Sequence, residues 1–107
     1  MSEKITAIYV MARVDELKPE DGGSYERPLR EQEEECRRFL AEKLGPEAAD
    51  AAQVYRNRSH LLKDVENDRV RRLVLESVDR LGVVPGDVEG VLFEMKMRSV
   101  EVLAASE

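Results

Sequence analysis

The sequence predicts one small α/β domain in which helices cover both faces of a mostly parallel sheet. Three observations support this class: an apolar run near the N-terminus, two later stretches with helical periodicity, and an apolar segment close to the C-terminus. The expected element order is β-α-β-α-β, because each helical stretch is long enough to cross between parallel strands. A three-layer arrangement follows most simply from that order.

The length of the chain allows one hydrophobic core. With 107 residues, 42% of them hydrophobic, the chain is expected to form one domain over 1–107. No separate DNA-binding domain is expected in it. The apolar residues come in blocks, which is typical of a folded domain and not of a disordered chain.

Charge and hydropathy limit the partners that the sequence suggests. The 23 acidic residues outnumber the 17 basic ones and give a net charge of -6, so DNA binding would need a local basic patch. The longest apolar stretches fall far below the roughly 18 residues that span a bilayer. No signal-peptide pattern opens the chain. We therefore expect a cytoplasmic protein without a membrane partner.

One cysteine and one histidine, Cys36 and His60, make a zinc site implausible and exclude an internal disulfide. We expect no metal and no cofactor. Cys36 lies on the apolar side of a predicted helix and is interpreted as a core residue. His60 lies in a polar segment and is expected to be exposed.

The first half of the chain predicts a strand, a loop and a helix. Residues 4–12 form a near-continuous run of strand-favouring residues, as expected of a strand covered on both faces. Residues 13–26 contain proline, glycine and several charges, which predicts a long exposed loop. From Arg27 to Leu44 the apolar residues fall on one side of a helix, and the Gly-Pro pair that follows ends it.

The second half predicts a short strand at Ala51 to Tyr55, then a loop or hairpin arm over residues 56–64. A second helix is predicted from Val65 or Asn67 to Leu81, because its apolar residues share one helical face. Residues 89–97 alternate between apolar and polar side chains and predict a third strand. The last stretch predicts a short helix or strand.

An alternative fold is a ferredoxin-like α+β sandwich, in which residues 53–56 and 59–63 pair as a hairpin and one sheet face is free. The alternation in residues 91–98 favours this alternative, whereas the solid apolar run of the first strand favours the parallel sheet. The corresponding function would be a dimeric module that binds a ligand or a partner through its sheet.

The end of the first strand carries the residues with most information about function. The sequence AIYVMARVDE delivers Arg13, Val14 and Asp15 at the carboxyl end of the predicted strand, where ligands usually bind in open α/β sheets. This segment resembles the N-terminal catalytic domain of the serine recombinases, the resolvase and invertase family, which opens with a strand running into Tyr-x-Arg-Val-Ser. Met11-Ala12 are inserted here, and Asp15 stands at the serine position.

Further motifs resemble the same family in chain order. QEEECRRFLAEKLG carries Gln, then Cys four residues later, then an aromatic residue and a turn ending in Gly. VYRNRSHLLKDVENDRVRRL keeps the tyrosine of a Tyr-x-Asp pattern but has Asn57 for Asp, and Arg69 is followed by Val instead of Pro. The family's Asp-Arg-Leu-Ser-Arg is placed at residues 97–101, where Arg98 keeps the first arginine and the Asp and second arginine are lost.

The resemblance implies a site whose chemistry is incomplete. Serine recombinases attack a DNA phosphodiester with a serine hydroxyl and stabilise the developing charge with arginines. The resemblance places Arg13, Asp15 and Arg98 at catalytic positions. The Asp15 carboxylate is repelled by a phosphate and would give a labile acyl phosphate. We therefore expect an inactive member that acts through a protein partner or as a homo-oligomer.

Two interpretations of the charged side chains stay open from the sequence. Arg13 and Arg98 either line a shared anion site or pair with surface carboxylates such as Asp15 and Glu94. A basic cluster at Arg69, Arg71 and Arg72 is expected on a solvated face.

The methionines near the C-terminus give a hypothesis about association. Met95 and Met97 are expected in the core or at an interface. An exposed edge strand bearing methionine would favour self-association.

Overall fold

The computed structural model describes residues 4–106. Its four strands are parallel in the order β2-β1-β3-β4. They comprise β1 (Ile5–Tyr9), β2 (Gln53–Tyr55), β3 (Val70–Leu75) and β4 (Glu101–Ala104). The predicted α/β class with a parallel sheet is confirmed.

Helices and short 3₁₀ turns connect the strands. The helices are α1 (Glu26–Leu44), α2 (Pro46–Ala51), α3 (Arg58–Glu66) and α4 (Pro85–Met97), and the 3₁₀ turns are Val14–Glu16, Pro19–Asp21 and Val78–Leu81. The predicted first strand and first helix are confirmed within a few residues at their ends. No helix within residues 4–106 is long and apolar enough to cross a membrane.

The sheet is covered on both faces, which confirms the three-layer prediction. On one face Cys36 and Leu40 of α1 pack with Ile8 of β1, and Cys36 is fully buried as predicted. On the other face Leu61 of α3 and Met95 of α4 belong to a second apolar cluster with residues of β1 and β3. Because strand side chains alternate, β1 contributes to both clusters.

The topology has one switch point. The chain leaves β1 through α1 toward β2 on one side, whereas it leaves β3 through α4 toward β4 on the other side. In open α/β sheets, the two diverging connections leave a crevice at the carboxyl ends of the strands, and ligands bind there. That crevice lies between the segments that follow β1 and β3.

The predicted loop or hairpin arm over residues 56–64 is wrong. Asn57 caps α3, because its side-chain oxygen accepts from the N–H groups of Ser59 at 2.8 Å and His60 at 3.3 Å. β2 pairs with β1 in parallel, and residues 53–63 form no hairpin. The ferredoxin-like alternative is therefore wrong.

The predicted helix from Val65 or Asn67 to Leu81 is also wrong, because Val70–Leu75 form the central strand β3. A strand buried on both faces lacks the alternation of a half-exposed strand. Its apolar residues at 70, 73 and 74 therefore imitate helical spacing. Asn67 ends α3 instead of beginning a helix, and Asp68 has a positive φ of 63°.

The predicted strand over residues 89–97 is a helix, α4. Val91 and Met95 face the core, whereas Phe93 and Met97 are 64% and 68% exposed on the opposite side. When a helix carries apolar residues on both faces, its sequence can alternate between apolar and polar residues as a strand does. The last stretch resolves to the strand β4.

We expect Leu73→Ala to lower the free energy of unfolding by about 2 to 5 kcal/mol, because it leaves a cavity in the central strand. Leu73 has no exposed surface. Urea unfolding followed by circular dichroism measures the change. The matched control is Arg71→Ala at an exposed position of the same strand, and an equal loss in both variants would contradict the assignment of this strand to the core.

Candidate functional site

The switch-point crevice is formed by the segments that follow β1 and β3. Residues 11–16 leave β1 and end in the 3₁₀ turn Val14–Glu16, and residues 76–82 leave β3 and contain the turn Val78–Leu81. We call the side chains contributed by both segments the switch-point site. Its members are Met11, Arg13, Glu16, Glu76, Asp79 and Arg80.

Arg80 lies at the centre of the switch-point site and is only 7% exposed. One terminal nitrogen donates to Glu16 at 2.6 Å and to the Met11 carbonyl at 3.1 Å. The other donates to Glu16 at 2.7 Å and to Glu76 at 2.8 Å, and Nε donates to Glu76 at 3.2 Å. A guanidinium has five N–H donors, and all five are used.

Glu16 is held for this interaction by its own turn. Its Oε2 also accepts from the backbone N–H of Arg13 at 2.6 Å, which closes the 3₁₀ turn. The hydrogen bonds from Arg80 hold the pKa of Glu16 below its usual value of 4.5. The same contacts raise the pKa of Arg80, so the pair stays ionised at neutral pH.

Gln32 of α1 ties the switch-point site to the opposite face of the sheet. Its side-chain amide donates to the Met11 carbonyl at 2.6 Å, and its oxygen accepts from the Met11 N–H at 3.2 Å. Gln32 is 3% exposed. The Met11 carbonyl therefore accepts from both Gln32 and Arg80, and the chain leaving β1 is fixed from both sides.

The two predicted site residues after β1 have different environments. Arg13 donates to the backbone oxygen of Asp79 at 2.9 Å and lies 3.8 Å from its carboxylate. Arg13 thus pairs with Asp79 and not with Asp15. Asp15 is exposed in the 3₁₀ turn, and its side chain makes no hydrogen bond or ion pair with the other residues that the structure describes.

Arg98 does not join this site. It follows α4 and precedes β4, so it lies at the amino ends of the strands, opposite Arg13. It donates to Glu94 at 3.1 Å and to the backbone oxygen of Glu66 at 3.1 Å. The interpretation that Arg98 pairs with Glu94 is confirmed, whereas a shared anion site with Arg13 is wrong because residues 89–97 form a helix.

A segment other than residues 97–101 follows the third strand. In chain order this strand is β3, and it leads into Asp79-Arg80-Leu81, which matches the first three positions of Asp-Arg-Leu-Ser-Arg. Gly82 and Val83 replace the serine and the second arginine. The residues Asp79-Arg80-Leu81 are visible in the sequence. Because a helix is predicted up to Leu81, the sequence does not indicate that these residues follow a strand.

One groove lies away from the switch-point site, and a second groove borders it. One of about 790 Å³ lies between β2 and α3, where Arg56, His60, Lys63 and Arg69 contribute basic groups. Arg56 is paired with Glu26 at 2.7 Å, outside that groove. Another groove, of about 360 Å³, lies beside Arg13 and is lined mainly by apolar residues of 78–88.

The tyrosine of the larger groove is held by a carboxylate. The Tyr55 hydroxyl donates to Asp64 at 2.5 Å. Burial, aided by this carboxylate, raises the pKa of Tyr55 to about 12. Arg69 lies 3.9 Å from the same carboxylate, so Asp64 offsets part of the positive charge of the groove.

Neither a search for metal-binding side chains nor a comparison with known proteins assigns a function to the site. In the part of the chain from 4 to 106, no group of three or more His, Cys, Asp or Glu side chains is arranged to hold a metal ion. Neither the known protein-family models nor the curated proteins contain a match to this chain. The resemblance to the serine recombinases therefore rests on the residues quoted above.

We expect Arg80→Lys to lower the free energy of unfolding by about 1 to 3 kcal/mol, because lysine cannot replace five N–H donors and leaves part-buried acceptors without partners. Guanidinium unfolding measures the loss. Arg71→Lys, at an exposed position of the neighbouring strand, is the control. Equal stabilities of the Arg80 variant and the wild-type protein would contradict the role of Arg80 as an internal anchor.

Lowering the pH should weaken the ion pair between Arg80 and Glu16. The pKa of Glu16 is lower in the folded chain than its usual value of 4.5, so the unfolded chain binds more protons at intermediate pH. The stabilisation is therefore fully present above pH 4.5 and is lost as the pH falls through the folded pKa.

We expect wild-type protein to lose more stability than Glu16→Gln when the pH is lowered from above 4.5 to below it. Thermal unfolding at a series of pH values measures the difference. Glu42→Gln, which removes an exposed carboxylate of α1, should follow the wild-type curve. Parallel curves for the wild-type and Glu16 proteins would contradict the ion pair.

Proposed function

We propose that this chain is a resolvase-like domain that does not cleave DNA and acts through protein association in the cytoplasm. The observation that carries the proposal is the environment of Arg80. The arginine at the motif position Asp79-Arg80-Leu81 has all its donors engaged by Glu16, Glu76 and a backbone carbonyl.

Phosphoryl transfer needs cationic groups that are available to the developing charge on the phosphate. Arg80 would have to give up ion pairs with two carboxylates before it could bind a phosphate oxygen. The same two carboxylates would then face the phosphate and repel it. An arginine held in this way stabilises the fold and does not stabilise a transition state.

The nucleophile position supports the same conclusion. Asp15 occupies the place where the resemblance requires serine, and its carboxylate carries the same charge sign as the DNA backbone. The partly exposed Arg13 side chain is the cation nearest to it in sequence, and Arg13 is paired with Asp79. The net charge of -6 adds a repulsion that extends over the whole molecule.

Protein association is supported by the apolar side chains that reach solvent. Phe93 and Met97 are 64% and 68% exposed and lie one helical turn apart on α4. Large exposed apolar residues that lie close together mark interaction surfaces more often than scattered ones do. A homo-oligomer or a protein partner is therefore the proposed mode of action.

We expect no covalent protein-DNA adduct when the wild-type chain is incubated with supercoiled DNA and the mixture is quenched with detergent. Asp15→Ser should give none either, because Arg80 stays bound to Glu16 and Glu76. Gel electrophoresis with a radiolabelled substrate measures adducts. An active serine recombinase is the positive control and Asp15→Asn the matched variant. A serine-linked adduct from either protein would overturn the proposal.

A further inference from the structure

The solvent-facing side of α4 carries two large apolar side chains and two glycines. Residues Gly86, Gly90, Phe93 and Met97 are spaced by four, three and four positions, so they share one side of the helix. All four are exposed, and Phe93 and Met97 retain 64% and 68% of their surface. We call this side the α4 outer face.

The α4 outer face combines a protrusion with a recess. Phe93 and Met97 protrude near the carboxyl end of the helix. A groove of about 290 Å³ between α3 and α4 is lined by Gly86 and Gly90 near the amino end. A Cβ atom added at either glycine meets no atom within 4 Å, so the recess is open to an incoming side chain.

Charges of opposite sign flank the two halves of the same face. Asp87 and Glu89 lie near the amino end of α4, and Lys96 and Arg98 lie at its carboxyl end. Arg98 pairs with Glu94 within the chain. Among the residues that the structure describes, Asp87, Glu89 and Lys96 form no ion pair, so these charges are available to another molecule.

We propose that the α4 outer face binds a second copy of this chain through antiparallel packing of the two α4 helices. This inference rests on the proposed function, association, and names its surface and partner. A two-fold interface uses the same patch on both copies and must therefore be complementary to itself. The α4 outer face meets that requirement in both shape and charge.

In the antiparallel arrangement, the carboxyl half of one helix lies against the amino half of the other. Met97 of each copy then meets the glycine recess of the second copy, and the two Phe93 side chains meet near the two-fold axis. Glu89 of each copy lies against Lys96 of the other, and Asp87 lies toward Arg98 of the other. A parallel arrangement would place like charges together, which is unfavourable.

Sedimentation equilibrium of the wild-type chain tests the interface directly. We expect a monomer-dimer equilibrium, and we expect Phe93→Glu to raise the dimer dissociation constant at least tenfold because it places charge at the centre of the contact. Val83→Ser removes a more exposed apolar side chain outside the α4 outer face and should leave the constant unchanged. Circular dichroism checks that both variants fold.

A charge exchange identifies the partner and its direction. Glu89→Lys alone and Lys96→Glu alone should each weaken the dimer. Either change places two like charges at positions 89 and 96 of opposite copies, and the two-fold axis repeats this unfavourable contact. An equimolar mixture of the two variants should form a heterodimer, since the introduced lysine of one chain then meets the introduced glutamate of the other. The unchanged Lys96 of the first chain meets the unchanged Glu89 of the second, which is also a pair of opposite sign. The double variant should dimerise as wild type does.

Rescue within one helix cannot imitate this result, because positions 89 and 96 are about 10.5 Å apart along the helix axis. A wild-type chain that stays monomeric, a dimer indifferent to Phe93→Glu, or a mixture that fails to form heterodimers would each overturn the inference. Any of these results leaves the absence of DNA cleavage standing. Covalent DNA adducts from a dimeric wild-type chain would instead overturn the proposed function and leave the interface intact.

Discussion

The ion pairs of Arg80 with Glu16 and Glu76 hold together the part of the molecule where an active site would lie. The pair with Glu16 joins the segment after β1 to the segment after β3 across the switch point, and the pair with Glu76 lies within the segment after β3. Burying a guanidinium costs free energy unless all its donors are satisfied, and here the carboxylates and the Met11 carbonyl satisfy them. Gln32 extends the connection to α1. The part of the crevice around Arg80 is thus filled by the protein's own side chains, and the groove of about 360 Å³ lined by Arg13 and Asp79 lies beside it.

The engagement of Arg80 bears on the proposed resemblance to the recombinases. The sequence motifs located the incompleteness at Asp15 and at residues 97–101. The Asp15 side chain makes no hydrogen bond or ion pair with the other residues that the structure describes. The structure adds Arg80, which is buried after the third strand and has all its donors engaged within the fold. Any change that frees Arg80 for a phosphate would also weaken the packing of the strand ends.

The sequence supports prediction of the first half of the chain better than prediction of the second half. The first strand and α1 follow from patterns that only one element type produces, and Cys36 is placed in the core correctly. β3 and α4 each carry the sequence pattern that is typical of the other element type. The buried strand β3 has apolar residues at the helical spacing 70, 73 and 74. The helix α4 has apolar residues on both faces, which gives a strand-like alternation. Neither pattern can be assigned without the neighbouring elements. Glu16, one partner of Arg80, lies 64 positions away in the sequence. No local sequence pattern can reveal such a contact.

The parallel order of the strands has a consequence for how the chain folds. β1 is a central strand, yet both of its neighbours come much later in the sequence: Ala7 pairs with Gln53 on one side and with Leu73 on the other. During synthesis the first apolar strand therefore emerges without a partner. Folding must close long loops before any strand pair forms, and such non-local topologies fold slowly for their size. The strand that leads into the switch-point site is thus made first and stays unpaired until residues 53–55 have been made.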